Sequence, residues 1–160
     1  MTSDFPAEIT PGLIVSVTGE AGVRTTANGT VVLSSTMPTV TLADEPSDKA
    51  VFGVVTSEAE LRNDHWYQNQ IKNGDRFVNV NALGEGRVWV CDFGGDIGAG
   101  DYLTTSSVPG HGMKQDDDLL HNYTLGKATE TIDWQHVDEF ITINGKSYKL
   151  YLLAVVYTSG

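Results

Sequence analysis

Short runs of alternating or continuous apolar residues, each cut by a Gly, Asn or Asp turn, recur along the whole chain. Leu13-Ile14-Val15-Ser16-Val17 follows the turn signal Pro11-Gly12 and reads as a strand. Asn28-Gly29 stands between Val23-Arg24-Thr25-Thr26 and Thr30-Val31-Val32-Leu33 and predicts a hairpin, because a type I′ turn needs positive φ at both central residues. Thr39–Leu42 is a further short strand, and residues 43–49 form a polar loop. Val51–Thr56 is almost continuously apolar, the pattern of a strand with neighbours on both sides. Residues 57–75 carry Glu, Arg, Asn, Asp, His and Gln and read as a surface insertion with a helical turn.

Strand patterning returns at Arg76–Val80 and Gly86–Cys91. Gly94–Asp101 is a tight Gly/Asp turn region that leads into the strand Tyr102–Thr105. Residues 106–122 form one long loop, of the length that inside a compact domain serves function or an interface. Tyr123–Ile132 is expected as a strand, followed by a last hairpin of Glu139–Ile143, the turn Asn144-Gly145, and Lys146–Tyr157. No segment keeps helical periodicity beyond two turns, and there is no fixed-period repeat. The pattern predicts a single all-β domain over 1–160, a barrel or antiparallel sheets of roughly ten strands. Tyr151–Tyr157 is apolar on both faces, so its outer face is a second core layer or a subunit interface.

Composition narrows the function classes. The formal charge is −11 with only 10 scattered Lys and Arg, which excludes a phosphate-binding stripe for nucleic acid and argues against an anionic membrane as partner. No signal peptide is visible, and the longest apolar run, Leu150–Tyr157, is too short to insert in a bilayer. A single cysteine, Cys91, cannot form an internal disulfide, so this is not a secreted disulfide-rich chain. Strand alternation makes Cys91 a core thiol in preference to a nucleophile.

Several constellations invite chemistry and have plainer readings. Asp116-Asp117-Asp118 offers oxygen ligands for Ca²⁺, but the spacing and turn glycine of an EF-hand are missing, which favours a turn or cap. His111 and His121 flank it without zinc spacing and read as loop hydrogen-bonders. Ser106, Asp101 and His111 lie close in sequence, yet no nucleophile elbow accompanies them. Gly94-Gly95-Asp96 with Gly98 and Gly100 leads into no helix, so it makes no phosphate cradle. Trp66 and Trp134 lie near loops and, with the tyrosines, are the aromatics suited to a sugar platform, whereas Trp89 is embedded in a strand. No metal or cofactor is expected.

The segment 1–10 is irregular and contains Ser3-Asp4 with the carboxylate of Glu8 close behind, a combination suited to self-cleavage. A chain with such a site at its start is expected to be the downstream half of a processed precursor. Leu83–Val90, Gly100–Ser107 and Gly110–Thr124, together with Ser3–Glu8 and Val51–Val55, carry a resemblance. The chain resembles the intramolecular chaperone auto-processing domain that ends phage neck-appendage (tail-spike) proteins and fibre-like proteins of large DNA viruses. The resemblance implies a C-terminal chaperone that promotes folding of a trimeric viral fibre and then cuts itself off near its own N-terminus. It implies a homotrimer, with contacts along its axis as the second reading of His111 and His121, an upstream fibre domain of the same precursor as partner, and a place in the virion or in the host cytoplasm during assembly.

The family's scissile bond maps onto Ser3 and Asp4, and its catalytic carboxylate onto Glu8. Pro6 falls inside the motif and sets Glu8 one residue further from Asp4 than the family's spacing. In the chemistry this implies, Glu8 activates water against the Ser3 carbonyl and Asp4 protonates the leaving amine or steadies the oxyanion. The Ser3 hydroxyl assists as a donor, and Pro6 stiffens the backbone. The rival reading is a non-catalytic trimerisation or receptor- and glycan-binding tip of a virion fibre.

Overall fold

The structure, a computed structural model, describes residues 10–33, 36–59, 67–69 and 76–158. Twelve strands are present among the described residues, two more than the expectation of about ten; four of them are only three residues long. They are β1 (Ile14–Gly22), β2 (Arg24–Thr26), β3 (Met37–Leu42), β4 (Val51–Ala59), β5 (Tyr67–Asn69) and β6 (Phe77–Asn81) in the first part of the chain. The second part holds β7 (Gly84–Cys91), β8 (Tyr102–Thr105), β9 (Gly112–Lys114), β10 (Gly126–Ala128), β11 (Phe140–Ile143) and β12 (Lys146–Tyr157). Helix is confined to two three-residue 3₁₀ turns, Asp92–Gly94 and Trp134–His136, among the described residues.

The first part forms a four-stranded antiparallel sheet in the order β3-β1-β4-β6. The near-continuous apolar run of β4 lies inside this sheet, between β1 and β6, as its pattern predicts. The second part is ordered β10-β8-β9-β7-β12-β11, and β10 also pairs with β12. That extra pairing closes β7, β8, β9, β10 and β12 into a five-stranded barrel and leaves β11 as a strand outside the ring. All its pairings are antiparallel but one: β9 runs parallel to β7.

Side-chain alternation explains the packing. Val88 and Val90 of β7, Leu103 of β8, Ala128 of β10, and Leu153 and Val155 of β12 are all buried in one cluster. Ile14, Ala43 and Val54 join that cluster, so the four-stranded sheet and the barrel share a core. Each fully buried aliphatic of this kind contributes roughly 1.5–3 kcal/mol. The opposite face of β12 is also used: Leu150 packs with Cys91 and Val108 in a second cluster. The two-faced apolar pattern of β12 is thus explained in part by a second core layer.

Four expectations are corrected. Residues 106–122 are not one loop, because Gly112–Lys114 forms β9 and inserts between β7 and β8. The strand expected over Tyr123–Ile132 shrinks to Gly126–Ala128: the Tyr123 carbonyl accepts from the Thr104 hydroxyl, and beyond a last ladder bond from Thr129 N to Ala154 O the chain leaves β12, with Ile132 N donating to Ile97 O. At Asn28-Gly29 only Gly29 has positive φ (82°), so the turn is not type I′. Bonds from Gly29 N to Thr26 O (2.9 Å) and from Thr26 N to Thr30 O (2.8 Å) define instead a three-residue loop, and Val31 contributes only an isolated bridge to Thr25. Of the predicted insertion 57–75, Ser57–Ala59 extend β4 and residues 67–69 pair with β2. The closing hairpin matches its expectation: Asn144 (φ 51°) and Gly145 (φ 80°) both take left-handed conformations between β11 and β12.

Candidate functional site

Ser3, Asp4 and Glu8, the residues mapped as scissile bond and catalytic carboxylate, lie outside the described residues, as does Trp66. What the structure places is the anchor from which they extend. Trp89 Nε1 donates to the Pro11 carbonyl at 3.2 Å. Gly12 N donates to Val55 O at 2.8 Å, and Trp89 N donates to Gly12 O at 2.9 Å. Ile14 N donates to Gly110 O at 2.8 Å, while Gly110 N donates to Ala43 O at 2.8 Å. Residues 11–14 are therefore stitched to β4, to β7 and to the loop before β9, at the joint between the two sheets.

Only glycine suits position 12. Its φ is +97°, and a β-carbon there would lie 2.8 Å from Leu152 Cδ1 and 2.9 Å from Trp89 Cδ1. The turn signal Pro11-Gly12 was visible in the sequence, but its partner Trp89 was not, because the two are joined only by the tertiary fold.

Beside this anchor lies the pair Trp89 and His111, with ring centroids 6.1 Å apart. His111 is buried, with Nδ1 2.9 Å from the Pro109 carbonyl. Burial holds its imidazole below the ordinary value of 6.5, favouring the neutral ring. The triad suggested by Ser106, Asp101 and His111 is not assembled. Ser106 Oγ donates to the main-chain carbonyl of His111 at 2.8 Å and accepts from Val108 N at 3.1 Å. Asp101 Oδ2 accepts from Gly98 N at 2.8 Å and pairs with Lys114 at 3.5 Å. Cys91 is buried with its sulfur 3.5 Å from Ser106 Oγ, and desolvation raises its thiol above the ordinary 9.0. It is a core thiol, as its strand position predicts.

The acidic run sits in a braced loop. Gln115 is buried, and its Nε2 donates to Leu119 O at 2.6 Å and to Asp117 Oδ1 at 2.8 Å. Its Oε1 accepts from the Thr124 hydroxyl at 2.6 Å. Two oxygens of Asp117 lie 2.9 and 3.0 Å from His121 Nε2, and His121 stacks on Tyr123 at 4.6 Å between centroids. The His121 bond, followed by the Leu119 N–H, holds the Asp117 carboxyl below its ordinary 3.8. His121 is thus the loop hydrogen-bonder expected from sequence. Among the described residues no three His, Cys, Asp or Glu side chains are grouped to hold a metal ion.

The aromatic platform is corrected at Trp134, which is buried with Nε1 donating to Gly95 O at 3.1 Å. The 3₁₀ turn that carries it, capped by Asp133 on Gln135 N, rolls the indole inward onto the shared core. Gln115, the brace of the loop, was missed in the sequence, where a lone Gln carries no signal. No family model, no curated protein and no solved structure matches this chain.

Proposed function

We propose that this domain is a C-terminal intramolecular chaperone of a viral fibre or tail spike, which promotes trimer folding and then cuts itself free at Ser3-Asp4. Glu8 serves as the base for the attacking water, and Asp4 as the acid for the leaving amine. The reading rests on the resemblance of residues 83–90, 100–107 and 110–124. The observation that carries it structurally is the anchoring of residues 11–14 by Trp89, Val55 and Gly110. A peptide bond that is to be cut once, on completion of folding, needs a neighbouring segment whose position depends on the finished fold. Residues 11–14 meet that need, because their partners come from β4, β7 and the loop before β9, which meet only when both sheets have formed.

The test follows the protein over time after synthesis from its full reading frame. The wild type loses everything before Asp4 as it folds, whereas Glu8→Ala and Asp4→Ala accumulate uncut. A Glu8→Ala protein cut at the wild-type rate removes Glu8 from the mechanism. A folded wild type that stays uncut overturns the reading.

A further inference from the structure

The barrel leaves β11 outside its ring, and the outer edge of that strand has no strand partner among the described residues. β11 pairs with β12 in continuous register, Phe140 with Lys149 through Ile143 with Lys146. Leu150 N donates to Glu139 O at 3.0 Å, which fixes the phase of the ladder. Alternation of hydrogen-bonded and non-bonded pairs then turns the main-chain N–H and C=O groups of Phe140 and Thr142 away from β12. Neither residue has a further backbone partner among the described residues.

Edges of this kind are normally blunted by proline, lysine or a bulge. Phe140-Ile141-Thr142-Ile143 has none of these. Instead Phe140 is 63% exposed and Ile141 37% exposed. The run is neutral, with Asp138 and Glu139 before it and Lys146 after it.

We infer that the free edge of β11 pairs antiparallel with the same edge of a second copy, about a two-fold axis at Ile141. The occupant follows from self-complementarity. In this register Phe140 of each copy faces Thr142 of the other, so all four outward backbone groups on each strand are satisfied. Ile141 meets its own counterpart at the closely spaced, non-bonded position, which gives an apolar centre. Glu139 falls opposite Ile143 of the other copy, and Lys146, paired with that Ile143 on β12, lies on the same face one strand further on, so unlike charges approach one another at both ends. The contact is isologous, and so is distinct from a threefold association of the same domain. It rests neither on cleavage nor on the trimer.

The two-fold register makes a symmetric test. Opposed Cα atoms at a non-bonded antiparallel site stand about 4.5 Å apart, within disulfide reach. Ile141→Cys therefore forms a disulfide-linked pair under mild oxidation, while Thr142→Cys and Ile143→Cys remain unlinked. Cys91, fully buried, stays out of the reaction. In parallel, Thr142→Pro removes the outward N–H and spares the backbone ladder to β12, giving up besides only the exposed side-chain bond between Thr142 and Ser147 (3.0 Å). The wild type is expected to sediment at twice the mass of Thr142→Pro at equal concentration. Equal masses of two folded proteins, a trimer in both included, would overturn the contact. So would Ile141→Cys that fails to link. If Thr142→Pro lowers folding stability, the cysteine series decides alone.

Discussion

The indole N–H of Trp89 reaches the Pro11 carbonyl at 3.2 Å and so ties the start of the described chain to the middle of a barrel strand. Seventy-eight residues separate the two in sequence. The bond forms only when the sheet that begins at β1 has docked on the barrel. Trp89→Phe keeps most of the ring and loses the donor, so folding stability should fall by about 1 kcal/mol. Urea unfolding would measure it, and a matching rise in protease cutting near Pro11 would show that the anchor has loosened.

Gly12 should tolerate substitution far less well. Gly12→Ala combines a left-handed φ of +97° with a β-carbon 2.8 Å from Leu152 Cδ1. Backbone strain and overpacking together should cost about 2–4 kcal/mol. Thermal unfolding of the purified variant checks this.

Gln115→Ala should free the acidic loop without unfolding the barrel. It takes the acceptor from the buried Thr124 hydroxyl, whose oxygen still accepts from His121 N at 2.9 Å, and the donor from the Leu119 carbonyl, a loss of about 1–2 kcal/mol. Hydrogen exchange should speed up across residues 117–124 and change little in β7 and β12. Uniform protection in the variant would show that the loop is held by something else.

His111 and Asp117 are two of the groups that shape the acid limb of stability. Both bind protons less readily folded than unfolded: His111 because it is desolvated, Asp117 because His121 and the Leu119 N–H stabilise its carboxylate. For His111 the contribution is complete above 6.5 and is lost as pH falls below that value toward its lowered folded pKa. For Asp117 it is complete above 3.8 and is lost as pH falls through its lowered folded value. Stability should therefore decline in two steps on acidification. In His111→Gln the upper step should vanish, which pH-dependent urea melts would reveal.

Cys91 should be silent in the native protein. It is fully buried, and its thiol is raised by desolvation. A thiol reagent should react only as the protein unfolds, so the labelling rate should follow urea concentration. Rapid native labelling would contradict the burial.

Much of the fold was legible because strong local signals agree with the tertiary structure. Asn144-Gly145 supplies both positive-φ residues that a type I′ turn demands, and the apolar run of β4 is matched by its inner place in the sheet. Other features depended on contacts remote in sequence. Gly112–Lys114 is three residues long and becomes a strand only because β7 and β8 flank it. Asn28-Gly29 carries the same dipeptide as the later turn, but the bond from Thr26 N to Thr30 O selects another geometry. Trp134 looks exposed beside a loop, yet its 3₁₀ turn rolls it into the core. The anchor was half legible: Pro11-Gly12 is a turn signal, whereas Trp89 and Gly110 are brought to it only by the docking of the two sheets.

The most direct measurement is the mass of the N-terminal peptide of the folded protein. The account predicts a new terminus at Asp4, present in the wild type and absent from Glu8→Ala. A folded wild type in which Ser3 and Asp4 remain joined would contradict self-processing, and a non-catalytic end-piece of a fibre would then stand in its place.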